Sequence, residues 1–254
     1  MANHATTDEI VKAAWNASKK HWKEFILLPL LTSIAFLLLI AVPLGLFEKY
    51  GAPSYLIALL FSLGLIAAGV FMAAYFAAQA KWCEEIHKGA KSIDVQEGLK
   101  FGLSRFWGLI GTLLITGVKI ILWMMLLVLP GYYKALMYSK SIYVSVLDGV
   151  SGGDANRISE AIVNKAGPIR AFSNKIGVTM LGMLAMYLLL IFSTLFAFFF
   201  GLVHEVAGVI ALVVIGGASY AFSMTVMMLY FHFEYLYFRD EAKAEVAKLK
   251  KALS

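Results

Sequence analysis

Lys119 and Lys140 stand inside apolar stretches of the chain, and an ammonium in such surroundings is well suited to hold an anion. Close to them, Lys134, Tyr138, Ser141 and Ser145 fall within about 60° of one another at helical spacing, forming a polar stripe on an apolar segment. The ligand such a set would accept is a lipid phosphate or a small organic acid. The competing reading is internal pairing. Glu234, with His232 two residues before it, is the acidic group best placed to reach inward. Serines and tyrosines also join membrane helices to one another without binding anything. A lysine at mid-depth in a bilayer costs about 2.5–3.5 kcal/mol on insertion scales, so either reading must give it water or a partner.

No other group of residues points to a reaction. Cys83 and His87 lie one helical turn apart but form a pair without further ligands, too few for a metal site. The five histidines, His4, His21, His87, His204 and His232, are scattered. No phosphate-cradling glycine loop, nucleophile elbow or phosphodiesterase-like His/Asp/Glu cluster is present in the sequence. The expectation is a protein that is not an enzyme and needs neither cofactor nor metal. The single cysteine excludes an internal disulfide.

The elements that must carry these residues follow from composition. With 61% apolar and 15% charged residues and a mean hydropathy of +0.78, 254 residues hold more apolar surface than a soluble domain could bury. The fold class expected is all-α, a single polytopic membrane domain. Its six transmembrane helices would lie near 25–47, 55–80, 106–129, 131–147, 176–200 and 206–231. Pro130 and Gly131 would form the hairpin between the third and fourth spans, since proline lacks a donor and glycine tolerates a tight reversal. Counting from that reversal at about 1.5 Å per residue puts Lys119 and Lys140 near the bilayer midplane. Lys134, one turn from the reversal, would reach the outer headgroups along its apolar stem.

Charge placement sets the orientation. Eighteen of the 22 lysines and arginines fall in the amino-terminal tail, in the second and fourth connections, and in the tail after the last span. The other connections hold Lys49 alone. That bias puts both termini in the cytoplasm, and it leaves no compact basic face for nucleic acid. Short amphipathic helices are expected on that side. Asp94 with Glu97 marks one start, Asp154 another that ends near Gly167–Pro168, and Asp8 a third. The basic tail 239–254 suits a helix resting on anionic headgroups. Membrane lipids and other membrane subunits are the partners this arrangement implies.

The run LWMMLLVLPGYYKALMYSKSIYVSV, followed by DANRISEAIVNKAGPIRAF, resembles the signature of an uncharacterised bacterial integral membrane family. Its pattern is an apolar helix, Pro-Gly, a lysine three positions on, and a Tyr-Ser pair, matched here by Lys134, Tyr138 and Ser139. Asn164 stands where the family's next helix usually has serine. That family is distantly similar to the membrane domain attached to some glycerophosphodiester phosphodiesterases. The resemblance covers roughly residues 122–172. It implies a six-helix fold in a prokaryotic cytoplasmic membrane and supplies no catalytic residues.

Overall fold

The structure is a computed structural model that describes residues 5–32, 54–201 and 205–253. Most of the first expected span, 33–47, and the connection that follows it lie outside the described residues. Every element among the described residues is helical. In chain order these are α1 (Thr7–Lys20), a π-helical turn (Lys23–Leu27), α2 (Ser54–His87), α3 (Val95–Leu126), α4 (Val128–Met137), α5 (Ser141–Tyr143), a second π-helical turn (Val144–Asp148), α6 (Gly152–Ala166), α7 (Pro168–Gly201), α8 (Glu205–Glu241) and α9 (Lys243–Leu253). Three stretches, Phe61–His87, Val95–Leu126 and Pro168–Phe196, are long and apolar enough to cross a membrane. Their large side chains, such as Leu63 and Ile66 on α2 and Leu184 and Leu188 on α7, are exposed. In water such a surface would drive aggregation, and in a bilayer it is solvated.

The packed core lies where α1, the end of α2, α6 and the end of α8 meet. Ile10, Phe25, Trp82, Ile158, Ile162, Phe233 and Leu236 are fully or almost fully buried there. α1 forms because Thr6 caps it, accepting from Glu9 N while Glu9 accepts from Thr6 N, so the box begins two residues before the expected Asp8. Asp94 does cap α3, accepting from Glu97 N at 3.0 Å. α3 then runs unbroken through Phe106, so the amphipathic start and the span are one helix. α6 ends at Gly167, whose φ of +95° only glycine adopts without strain.

Two expectations about the fourth segment are corrected. The reversal is not at Pro130–Gly131. Leu127, extended at φ −157° and ψ 132°, separates α3 from α4, and Pro130 sits in the first turn of α4, where its missing N–H costs nothing. Gly131 has a different use: a Cβ there would lie 2.8 Å from Met124 Cα, so its absence lets α4 lie close against α3. Nor is 131–147 one helix. It breaks at Tyr138–Lys140, and the freed backbone groups are taken by a side chain of α6. Ser159 Oγ accepts from Lys140 N at 3.0 Å and donates to Met137 O at 2.6 Å. A helix break this deeply buried persists only when such partners exist.

Candidate functional site

Ending α4 at Met137 aims Lys140 into the core, where its Nζ forms an ion pair with Glu234 Oε2 of α8. The two side chains are 5% and 1% exposed, so the pair is almost completely dehydrated. Lys140 Nζ also lies 5.5 Å from the Phe238 ring and 5.9 Å from the Tyr143 ring, contacts that favour a cation. Glu234 Oε1 is buried and has no hydrogen-bond partner among the described residues. Lys175 of α7 adds a further positive charge acting on both members of the pair.

His232 is not part of this pairing. Its Nδ1 lies 2.6 Å from Met228 O and its Nε2 3.4 Å from Phe76 O, with the ring set between Phe76 and Tyr143. It fixes α8 against α2 and is a core histidine, which corrects its expected role as a charge partner.

Lys134 does not reach outward either. Its Nζ meets Glu160 Oε1 of α6 at 2.5 Å and lies over the rings of Trp123 and Tyr138. Lys119 also lies over the Tyr138 ring, at 5.9 Å, and beside Gly153 at the start of α6. Two hydrogen bonds dock α6 on this part of α3: Gly152 N donates to Thr112 Oγ1 at 2.9 Å, and Thr116 Oγ1 donates to Asn156 Oδ1 at 2.8 Å. Lys119, Lys134 and Tyr138 are therefore brought together against α6. Ser141 and Ser145 are separated from them by the break and sit buried, their hydroxyls without partners among the described residues. The continuous polar stripe expected on one helix does not exist.

A second charged cluster was not anticipated. Asp148, at the end of the π-helical turn, accepts from Tyr235 Oη at 2.5 Å and from Lys250 Nζ at 2.6 Å. Arg239 lies between Asp148, at 3.7 Å, and Glu84, at 2.8 Å, and Glu84 also meets Lys88 at 3.1 Å. Burial pushes the Tyr235 phenol well above its ordinary pKa, and the Asp148 carboxylate adds to the shift, so tyrosine stays the donor. Burial works against the Arg239 charge, but Tyr235, Glu84 and Asp148 together outweigh it and raise its pKa. A third group joins the amino end: Arg170 Nη1 binds both oxygens of Glu241 at 2.8 and 3.0 Å and Arg170 Nη2 donates to Ala5 O, while Glu241 Oε1 accepts from Ala5 N at 3.2 Å. The signal for these clusters was in the sequence as acidic residues 84, 148 and 241 at the ends of apolar segments, but their partners lie up to 236 positions away.

The tail helix α9 lies on protein as well. Val246 is buried, Glu245 meets Lys165 of α6 at 3.0 Å, and Lys250 is the Asp148 partner already described. Cys83 is fully buried, and His87 meets Asp240 at 2.8 Å. Among the described residues no three His, Cys, Asp or Glu side chains are grouped to hold a metal ion. No family model, no curated protein and no solved structure matches this chain.

Proposed function

We propose that this protein is a non-catalytic integral component of a prokaryotic cytoplasmic membrane, an accessory, scaffold or envelope/immunity-type factor. Its six inserted segments leave both termini in the cytoplasm. In this reading α3 and α4 form a hairpin that enters the lipid and returns to the side it left. The exposed tip, Met125 to Leu129, suits that placement, and so does the Lys134–Glu160 contact, which joins the hairpin to a helix of the basic-rich side. Parity of the positive-inside count is preserved, because a returning hairpin changes sides no more than two crossings do. The resemblance of residues 122–172 to a six-helix bacterial family supports the same setting.

The observation that carries this reading is internal consumption of charge. Lys140 and Lys134, the residues offered for an anion pathway, are neutralised by Glu234 and Glu160, and the remaining clusters tie Ala5, just before α1, and the tail helix α9 to the ends of α2, α7 and α8. Such a layer of docked helices is a surface for other subunits and for lipid headgroups. The alternative, a small transporter or lipid-handling protein with an anion-accepting cavity, keeps Lys119 as its remaining cation, because no carboxylate of the described residues lies within ion-pair distance of it. Liposomes containing the purified chain test the choice. The proposal predicts anion efflux no faster than from protein-free liposomes. Efflux that Lys119→Met abolishes would overturn it in favour of the alternative.

A further inference from the structure

Away from the charged clusters, an apolar groove of about 290 Å³ runs between α7 and α8 and is overhung by α1. Val178 and Ala185 form one wall, Ser223, Met227 and Tyr230 the other, and Trp15 of α1 lies at the mouth. It opens onto the exposed apolar face of α7 at Leu181. The groove is not uniformly apolar. Ser223 and Tyr230 are among its lining residues, and the Tyr230 hydroxyl is buried with no partner among the described residues. Tyr230 is only 2% exposed. Burying a hydroxyl without a hydrogen bond is unfavourable, so something that accepts one belongs there.

Past Val178, toward Tyr230, α7 supplies a further unmet donor and a cation. Asn174 lies one helical turn before Val178 on the same face of α7. Its Oδ1 accepts from Thr7 at 2.8 Å, while its buried Nδ2 has no partner among the described residues. Beside it, Lys175 has no ion-pair partner among the described residues. An apolar channel continuous with the lipid-facing surface, headed by unpaired donors and positive charge, matches one molecule: an acyl chain that carries an anionic head. Among the described residues, 23–32 approach a different side of α8, where Phe25 O accepts from Thr225 at 3.1 Å.

We propose that this groove binds one anionic glycerophospholipid drawn from the surrounding bilayer. One acyl chain lies along Leu181, Ala185 and Met227. The ester and phosphate oxygens accept from Tyr230 Oη and Asn174 Nδ2 and face Lys175. The inference goes beyond the membrane-component reading and holds equally if the protein is a transporter.

The test titrates phosphatidylglycerol and, separately, phosphatidylcholine into the full-length chain in detergent, counting bound lipid by native mass spectrometry. Wild type binds one phosphatidylglycerol in preference to phosphatidylcholine. Ala185→Phe fills the groove and displaces about two methylenes, for a loss of roughly tenfold. Tyr230→Phe weakens binding by several fold through the lost donor alone. Leu184→Phe, on the neighbouring lipid face, binds as wild type does. If Ala185→Phe binds as tightly as wild type, the groove is not the site. Equal binding of the two lipids overturns the anionic head, and occupancy by detergent alone overturns the lipid. Should Ala185→Phe fail to fold, the isosteric Tyr230→Phe decides by itself: unchanged phosphatidylglycerol binding refutes the assignment.

Discussion

Replacing Lys140 by methionine removes one half of an ion pair whose members are 5% and 1% exposed. The carboxylate of Glu234 is then left in the core, where its Oε1 has no partner among the described residues even in the intact protein. Breaking a buried pair from one side costs about 3–5 kcal/mol, because the remaining charge is neither hydrated nor compensated. Glu234→Leu alone strands the ammonium and costs a similar amount. The double variant Lys140→Met/Glu234→Leu removes both desolvation penalties and is expected to be about as stable as wild type or up to about 4 kcal/mol more stable. The coupling energy between the sites is therefore several kcal/mol. It is measured by unfolding all four proteins in mixed micelles with increasing SDS and following helix content. Because Lys175 also acts on Glu234, the cycle is repeated with Lys175→Gln. If Lys140→Met by itself costs less than about 1 kcal/mol, the pair behaves like a solvated one, and the site is a wet cavity instead of a clamp.

Ser159→Ala deletes both hydrogen bonds that permit the break at Tyr138–Lys140 and leaves Met137 O and Lys140 N unsatisfied, for a loss of about 1–3 kcal/mol in the same unfolding assay. Gly102→Val is expected to lose at least about 1–3 kcal/mol, because even a Cβ would lie 2.8 Å from the carbonyl carbon of Ala74 on α2 and force two packed helices apart; unchanged stability would contradict that contact. Burial first, and then the Lys20 charge, hold the His21 pKa below its ordinary 6.5 against the opposing pull of Glu24, and its Nε2 has no partner among the described residues. The unfolded chain therefore binds the extra proton more readily, and stability falls as pH drops through about 6.5. Hydrogen exchange in α1 should accelerate between pH 7.5 and 5.5, and His21→Gln should lose that dependence. Cysteines placed at Asn16 and Lys248, in a chain with Cys83 replaced by alanine, should resist a membrane-impermeant thiol reagent added to intact cells; labelling of either overturns the orientation.

Helical class and the apolar stretches within α2, α3 and α7 were legible because each is decided within its own sequence by apolar length, although α3 begins at Val95 and α7 at Pro168, ahead of the expected 106 and 176. The fourth segment was not. Its break depends on Ser159, 19 residues beyond Lys140, and on Glu234, 94 residues beyond it, and neither is visible in the local pattern of residues 131–147. Hydropathy read Lys134 as facing outward because it assumed a crossing, whereas Glu160 draws it toward α6. Glu234 could be named as a partner of Lys140 because few acids lie near the apolar stretches. His232 was misassigned because sequence proximity does not show that backbone oxygens from two helices already occupy its ring nitrogens.

The docking of α1 has a consequence for biosynthesis. Its apolar residues Ile10, Ala14 and Ala17 close on the last part of α8, and Ala5 is held by Arg170 and Glu241. α1 thus acquires its seat only after the end of α8, 236 residues beyond Ala5, has been made. Until then the bilayer surface is the natural resting place for that face, and closure joins segments far apart in the sequence. A nascent chain halted before Glu241 should leave α1 open to protease, while the finished protein shields it.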